Sequence, residues 1–347
     1  MRKKSRTSKP SGRVRQRTRK HQAPDSRSYG RRINPLFRFA IRKMDSKCSA
    51  GEAREEANHR IPDDVQEYPD TPFQGAGGAP LAMDIFRAKN RDSRPLPVVI
   101  MVHGGGLVVG TRKMSRTFCE NLAEQGFLVF APEYRRITET DVFREIQDLV
   151  AAFSAISVRL AEYGGDPDRV TVVSESAGSF LSLYAVAAMG SPALRAAFGL
   201  SPAPLRIRAL ACFSGLFYTT RKDPVGLTYG RYLYGSRRRD PSFIRYMNPE
   251  CPEVVEQLPP VFLVGSDADF LRKNTRRYAA ALSEEGHPCK LIYYEDNKEL
   301  THAFPALKPG IPESRDVLDR LVDWLGTLDT DRCPGSTEQT IERERRE

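Results

Sequence analysis

The pentapeptide Ser174-Glu175-Ser176-Ala177-Gly178 puts a serine among small residues where two differently patterned segments meet. Before it runs Val170-Thr171-Val172-Val173, apolar and β-branched, and after it runs the apolar stretch Phe180–Ala188, which reads as a helix. A strand turning sharply into a helix at a serine is the geometry of a nucleophile elbow, which lifts the hydroxyl out of the backbone. Small neighbours allow the strand and helix backbones to come close through the strained turn. The first position of the usual G-x-S-x-G pattern is here Ser174. A serine nucleophile also needs a base, an acid to orient that base, and donors for an oxyanion.

The donors have a candidate in His103-Gly104-Gly105-Gly106, directly after the apolar run Pro97–Val102. Consecutive glycines let backbone N–H groups turn inward with no side chain in the way. Two of them, with the N–H of Ala177, would form an oxyanion hole. The loop fits neither the P-loop pattern nor the G-x-G-x-x-G spacing of dinucleotide sites. Of the five histidines, His21 lies in a basic tail, His59 in a polar linker, His287 in a turn and His103 in the glycine loop. His302 remains, in Thr301-His302-Ala303-Phe304, following the last strand through a short loop. The acid should follow the next-to-last strand, where Asp267 and Asp269 are both available. Either could equally cap the following helix, and spacing alone does not choose between them.

The order Ser176, Asp267 or Asp269, His302 is that of α/β-hydrolases. From about residue 65 to 328 the chain resembles the hormone-sensitive-lipase-like carboxylesterase group. The likeness is carried by His103–Gly106, Tyr163-Gly164-Gly165-Asp166-Pro167-Asp168-Arg169, Glu175–Gly178 and His302-Ala303-Phe304. The resemblance implies an α/β-hydrolase fold and selects Asp269, which precedes Phe270-Leu271-Arg272 as the family's acid precedes an apolar pair and a basic residue. It also implies oxyanion donors at Gly105, Gly106 and Ala177. The chain departs from the family pattern at Ser174, at Leu107 where an aromatic is common, and at Glu133-Tyr134-Arg135-Arg136, which lacks the usual proline-containing sequel.

The elements that must position these residues are legible as alternating signals. Apolar runs at Pro97–Val102, Phe127–Ala131, Val170–Val173, Ile207–Phe213, Val261–Val264 and Leu291–Tyr294 are separated by helical stretches such as Val142–Leu160 and Leu271–Leu282. Such strands predict an α/β fold with a mainly parallel sheet covered on both faces. Residues 66–86 add two antiparallel strands, for an eight-stranded sheet. Residues 218–259, rich in Tyr, Arg and Pro, read as a small cap insertion over the sheet's carboxyl edge. Its aromatics, Phe217, Tyr218, Tyr229, Tyr232, Tyr234, Phe243 and Tyr246, suit either a pocket wall or the cap's own core.

The ends of the chain differ from its body. Residues 1–47 hold 17 Lys/Arg against two acids, whereas the remainder holds 37 against 42. Residues 1–33 have no apolar pattern and read as a disordered basic tail. Within 36–44, positions 36, 37, 40, 41 and 44 make one apolar helical face opposite Arg38, Arg42 and Lys43. Such a helix either packs on the body or lies on an anionic membrane surface. Interleaved aromatics are sparse in the tail, so specific nucleic-acid binding is not expected. Residues 48–64 read as a linker and 329–347 as a polar C-terminal tail. Six scattered cysteines lack a C-x-x-C pair, arguing against a zinc site or redox motif and for reduced thiols. No apolar run follows the basic start as in a signal peptide, which points to a cytoplasmic protein. The expected activity is cofactor-free hydrolysis of short-chain acyl esters through an acyl-enzyme. An amidase or peptidase on the same fold, and a non-catalytic small-ligand binder, are the rival readings. Oligomeric state is not legible.

Overall fold

A computed structural model of the 347-residue chain describes residues 35–89, 94–221, 233–330 and 341–344. The antiparallel pair β1 (Val65–Gln74) and β2 (Pro80–Ala88) leads into β3 (Leu96–Val102), β4 (Leu128–Pro132), β5 (Gly165–Glu175), β6 (Ala209–Phe213), β7 (Val261–Ser266) and β8 (Cys289–Tyr294). Strands β3 to β8 are mutually parallel, and β2 meets β4 antiparallel. These are the eight strands expected. Strands β3 to β8 are each anchored in one of the six apolar runs, because a strand buried on both faces must be apolar at odd and even positions alike.

The two faces can be read along single strands. Val98, Ile100 and Val102 of β3, with Leu263 of β7, pack in one core with α3 (Val142–Ser157) and α5 (Ala177–Gly190). The intervening Val99 and Met101, with Phe262 and Val264, pack in a second core with Phe118 and Leu122 of α2 (Arg116–Glu124). Val317 and Leu321 of the helix Pro312–Thr330 close that second layer. The Asp141 carboxylate starts α3 by accepting from Arg144 N–H at 3.0 Å, and the short α4 (Leu160–Tyr163) follows it ahead of β5.

Sheet order, not sequence order, creates the site. The order is β1-β2-β4-β3-β5-β6-β7-β8, so the chain leaves β3 to one side and returns to β5 on the other. At such a switch point a crevice opens at the carboxyl ends of the strands. The glycine loop follows β3 and the elbow follows β5, which places them side by side.

The structure differs from the pattern at both ends. Helix α1 runs from Pro35 to Asn58, through most of the predicted linker. Residues 45–58 contain many good helix formers, and Ile41, Cys48 and Glu52 fall on one side of the helix. Ile41 is buried, Cys48 packs against the core, and Glu52 accepts from Thr111 Oγ at 3.0 Å. Phe39 and Met44 are instead exposed. At the other end, Ile341–Glu344 adds a ninth strand parallel to β8, inside the predicted polar tail. The basic segment before residue 35 lies outside the described residues, as do 222–232 of the cap insertion, including Tyr229 and Tyr232.

Leu263 is fully buried at the centre of β7. Leu263→Ala is expected to lower stability by about 2–5 kcal/mol, read as a shift in urea midpoint with unchanged slope.

Candidate active site

Ser176 occupies the turn between β5 and α5 with φ 52° and ψ −117°, a backbone conformation that L-residues rarely adopt. Three backbone bonds hold it: Ser176 N–H donates to Phe213 O at 2.9 Å, and Leu216 and Ser179 N–H donate to Ser176 O. Gly178 allows α5 to start against β3, since a Cβ there would overlap Val102 O and His103 O. Ser174, where a glycine is usual, is fully buried and has no positive φ. Its hydroxyl donates to Ala211 O at 3.0 Å and lies 3.2 Å from Ser179 Oγ. The serine therefore fits because this fold offers its hydroxyl a partner across the sheet.

His302 reaches back from the loop after β8. Its Nε2 lies 2.8 Å from Ser176 Oγ and its Nδ1 lies 2.7 Å from Asp269 Oδ1. A carboxylate only accepts, so Nδ1–H donates to Asp269 and Nε2 presents its lone pair to the serine hydroxyl. Asp269 is fully buried, and Leu271 N–H donates to the same Oδ1 at 2.9 Å. The imidazole is positioned from two further sides. Ala303, at φ 52°, donates its N–H to Ser214 Oγ at 2.9 Å, and the Phe270 ring lies 4.1 Å from the imidazole, centre to centre. Asp267 points elsewhere: it accepts from Tyr293 OH at 2.9 Å and is partly exposed.

On the other side of Ser176 the glycine loop takes left-handed backbone at Gly105 (φ 101°), Gly106 (φ 63°) and Leu107 (φ 65°). A side chain at Gly105 would overlap Val109 O. Ala177 is the first residue of α5, so its N–H has no intrahelical acceptor. His103 buttresses the loop. Its Nδ1 lies 2.9 Å from Gly104 O and its Nε2 lies 2.9 Å from Glu133 Oε1. Both ring nitrogens are thus engaged in holding the loop. Tyr134 stacks on it at 4.2 Å and donates to His103 O and Gly104 O.

This geometry has close counterparts. The profile of a family described as alpha/beta hydrolase fold matches residues 99–306. The chain belongs to the α/β-hydrolase family, and within it to the hormone-sensitive-lipase-like group. The chain is 26% identical over 268 residues to esterase LipQ of Mycobacterium tuberculosis, covering 75% of the chain and 62% of LipQ. It is 29% identical over 253 residues to an acetyl-hydrolase of Streptomyces hygroscopicus, covering 70% and 78%. The fold of esterase B from Lactobacillus rhamnosis superposes with a TM-score of 0.77 at 22% identity, covering 86% of this chain and 98% of that one. The chain spans 62, 47 and 56% of the length of three curated relatives it matches.

Ser176, His302 and Asp269 are thus brought together with the 103–106 loop and Ala177, while Asp267 is left at the sheet edge. Residues that sequence reasoning passed over tie the parts to each other. Chief among them is Glu175, inside the elbow itself, whose buried carboxylate accepts from Gly104 N–H at 2.6 Å. Its place beside Ser176 was visible in the sequence, but its partner lies 71 residues away. Burial raises the Glu175 carboxyl above its ordinary range, and the Gly104 N–H works against that rise. For Glu133, burial also favours the neutral acid, but His103 and Arg112 hold it below the usual carboxylate range.

A carboxyl with a raised folded pKa favours the fold at low pH and loses that contribution as pH climbs through the folded value. Glu175→Gln keeps an acceptor for Gly104 N–H and has no charge to desolvate. Its stability relative to wild type is therefore expected to rise between about pH 4 and pH 8, measured by urea unfolding. Glu175→Ala removes the acceptor and is expected to lower kcat roughly tenfold to a hundredfold, with KM little changed. Wild-type kcat in that variant would mean the loop holds itself.

Proposed function

We propose that the protein is a serine carboxylesterase that hydrolyses short-chain acyl esters through an acyl-enzyme. The observation that carries the reading is the unbroken line Ser176 Oγ to His302 Nε2 at 2.8 Å and His302 Nδ1 to Asp269 Oδ1 at 2.7 Å. Ser176 Oγ attacks the ester carbonyl carbon while His302 Nε2 takes its proton. Asp269 keeps the imidazole in the right tautomer and stabilises the imidazolium. The carbonyl oxygen gains negative charge and is met by the N–H groups of Gly105, Gly106 and Ala177, each worth about 3 kcal/mol in such sites. Collapse of the tetrahedral intermediate breaks the bond to the leaving oxygen, and His302 returns the proton to the departing alcohol. Water, deprotonated by His302, then attacks the acyl-serine by the same route and releases the acid.

The short-chain reading rests on two supports. The acetyl-hydrolase relative acts, by its name, on acetyl groups, and the esterase B structure contains a tributyrin phosphonate inhibitor. Among the described residues, aromatics in and beside the cap insertion are also packed against one another. Phe217 stacks on Tyr278 at 4.3 Å, and Phe243 contacts Phe143, Phe198 and Tyr234.

Ser176→Ala is expected to abolish turnover of p-nitrophenyl acetate and labelling by a fluorophosphonate; undiminished turnover would remove the assignment. A series of p-nitrophenyl esters is expected to show kcat/KM falling beyond short acyl chains. Matched anilide and peptide substrates should turn over far more slowly, and a preference for them would point to an amidase or peptidase. Because the base acts only when unprotonated, the rate should rise with pH across the histidine range and then level off. A flat profile from about pH 5 to 8 would exclude a histidine base.

A further inference from the structure

Helix α1 has one side committed to the body and another that is not. Ile41 and Cys48 turn inward, and Glu52 is bound by Thr111, which lies just beyond the glycine loop. The opposite side carries Phe39, Arg42, Lys43 and Ser46, spaced three, four and seven residues apart and therefore aligned. Phe39 is 70% exposed, and Arg42 and Lys43 are exposed. A large aromatic in water is unfavourable by the hydrophobic effect, and on this helix it sits in a basic surround. The chain that enters the helix is more basic still, with 17 Lys/Arg against two acids over residues 1–47.

We propose that this outward face of α1 docks the protein on an anionic lipid surface. An aromatic side chain beside lysine and arginine matches the boundary between acyl chains and negatively charged headgroups. Attraction to headgroup charge contributes roughly fivefold in affinity for each basic residue near the surface. The remainder of the chain carries 37 basic and 42 acidic residues, so the excess positive charge that an anionic surface attracts is concentrated at this end. No helix among the described residues is long and apolar enough to cross a membrane, so the contact is peripheral. Since Thr111 ties α1 down near the glycine loop, docking brings the catalytic crevice close to esters dissolved in the bilayer. That last consequence rests on the proposed esterase activity, whereas the docking itself does not.

The test is co-sedimentation of the full chain with phosphatidylcholine vesicles, with and without phosphatidylglycerol. Binding is expected only with the anionic lipid, and it should weaken as salt shortens the screening length from ~10 Å at 0.1 M to ~3 Å at 1 M. Arg42→Glu/Lys43→Glu should weaken it by roughly tenfold or more, and Phe39→Ala by about fivefold. Circular dichroism and turnover of a soluble ester should be unchanged in these variants, showing that they fold. Equal sedimentation with neutral and anionic vesicles, or none with either, overturns the proposal. So does binding to heparin and to vesicles that Phe39→Ala leaves untouched, which would identify a site for polyanions in general. Loss of ester turnover in the wild type with vesicle binding intact would count against the esterase reading alone.

Discussion

The site depends on one backbone constraint: Ser176 at φ 52° in the turn that joins β5 to α5. A residue held there is strained, and strain of this kind persists only where the surroundings over-determine it. The surroundings here are the sheet itself. The carbonyl of Phe213 on β6 accepts from Ser176 N–H, and Leu216 N–H closes on Ser176 O. The tight start of α5 then requires Gly178 under the carbonyls of Val102 and His103. The elbow is therefore a product of β3, β5 and β6 packing in that spatial order, and local sequence alone would not sustain it.

The same packing makes the electrostatics work. Glu175 is carried by the elbow and Gly104 by the oxyanion loop, so their hydrogen bond sets the separation between hydroxyl and donors. Behind the loop, His103 is clamped between Glu133 and Tyr134, and Glu133 continues to Arg112, which pairs with Asp84. Buried groups of this sort stabilise a structure only when each is satisfied by a partner, because an unpaired charge away from water is strongly unfavourable. Burial also pushes the Cys212 thiol up to about 11, leaving a neutral, unreactive group beside Ser174 under the elbow.

Much of the fold was legible because doubly buried strands must be apolar throughout, and the runs at 97–102, 170–173 and 261–264 could be little else. The ends were less so. Helix α1 continues to Asn58 through polar sequence because a few well-spaced contacts, Ile41, Cys48 and Glu52, hold one side of it. A helix tied down by so few residues leaves a weak periodic signal. The strand Ile341–Glu344 depends on an open edge of β8, which no local pattern announces.

By itself the sequence determined the chain order of serine, acid and histidine, the glycine loop and the small residues of the elbow. Those features are local, since they depend on which side chains and backbone angles neighbouring residues permit. Between Asp267 and Asp269 spacing left the choice open and the family resemblance pointed to Asp269; tertiary structure shows the physical reason. The two stand two residues apart after the same strand, yet one turns to Tyr293 at the sheet edge and the other is buried against His302. It also decided that Ser174 could replace a glycine, by offering Ala211 O across the sheet. In each case the deciding partner is remote in sequence, 26 to 37 residues away. The direction a side chain takes follows from where the sheet places that partner.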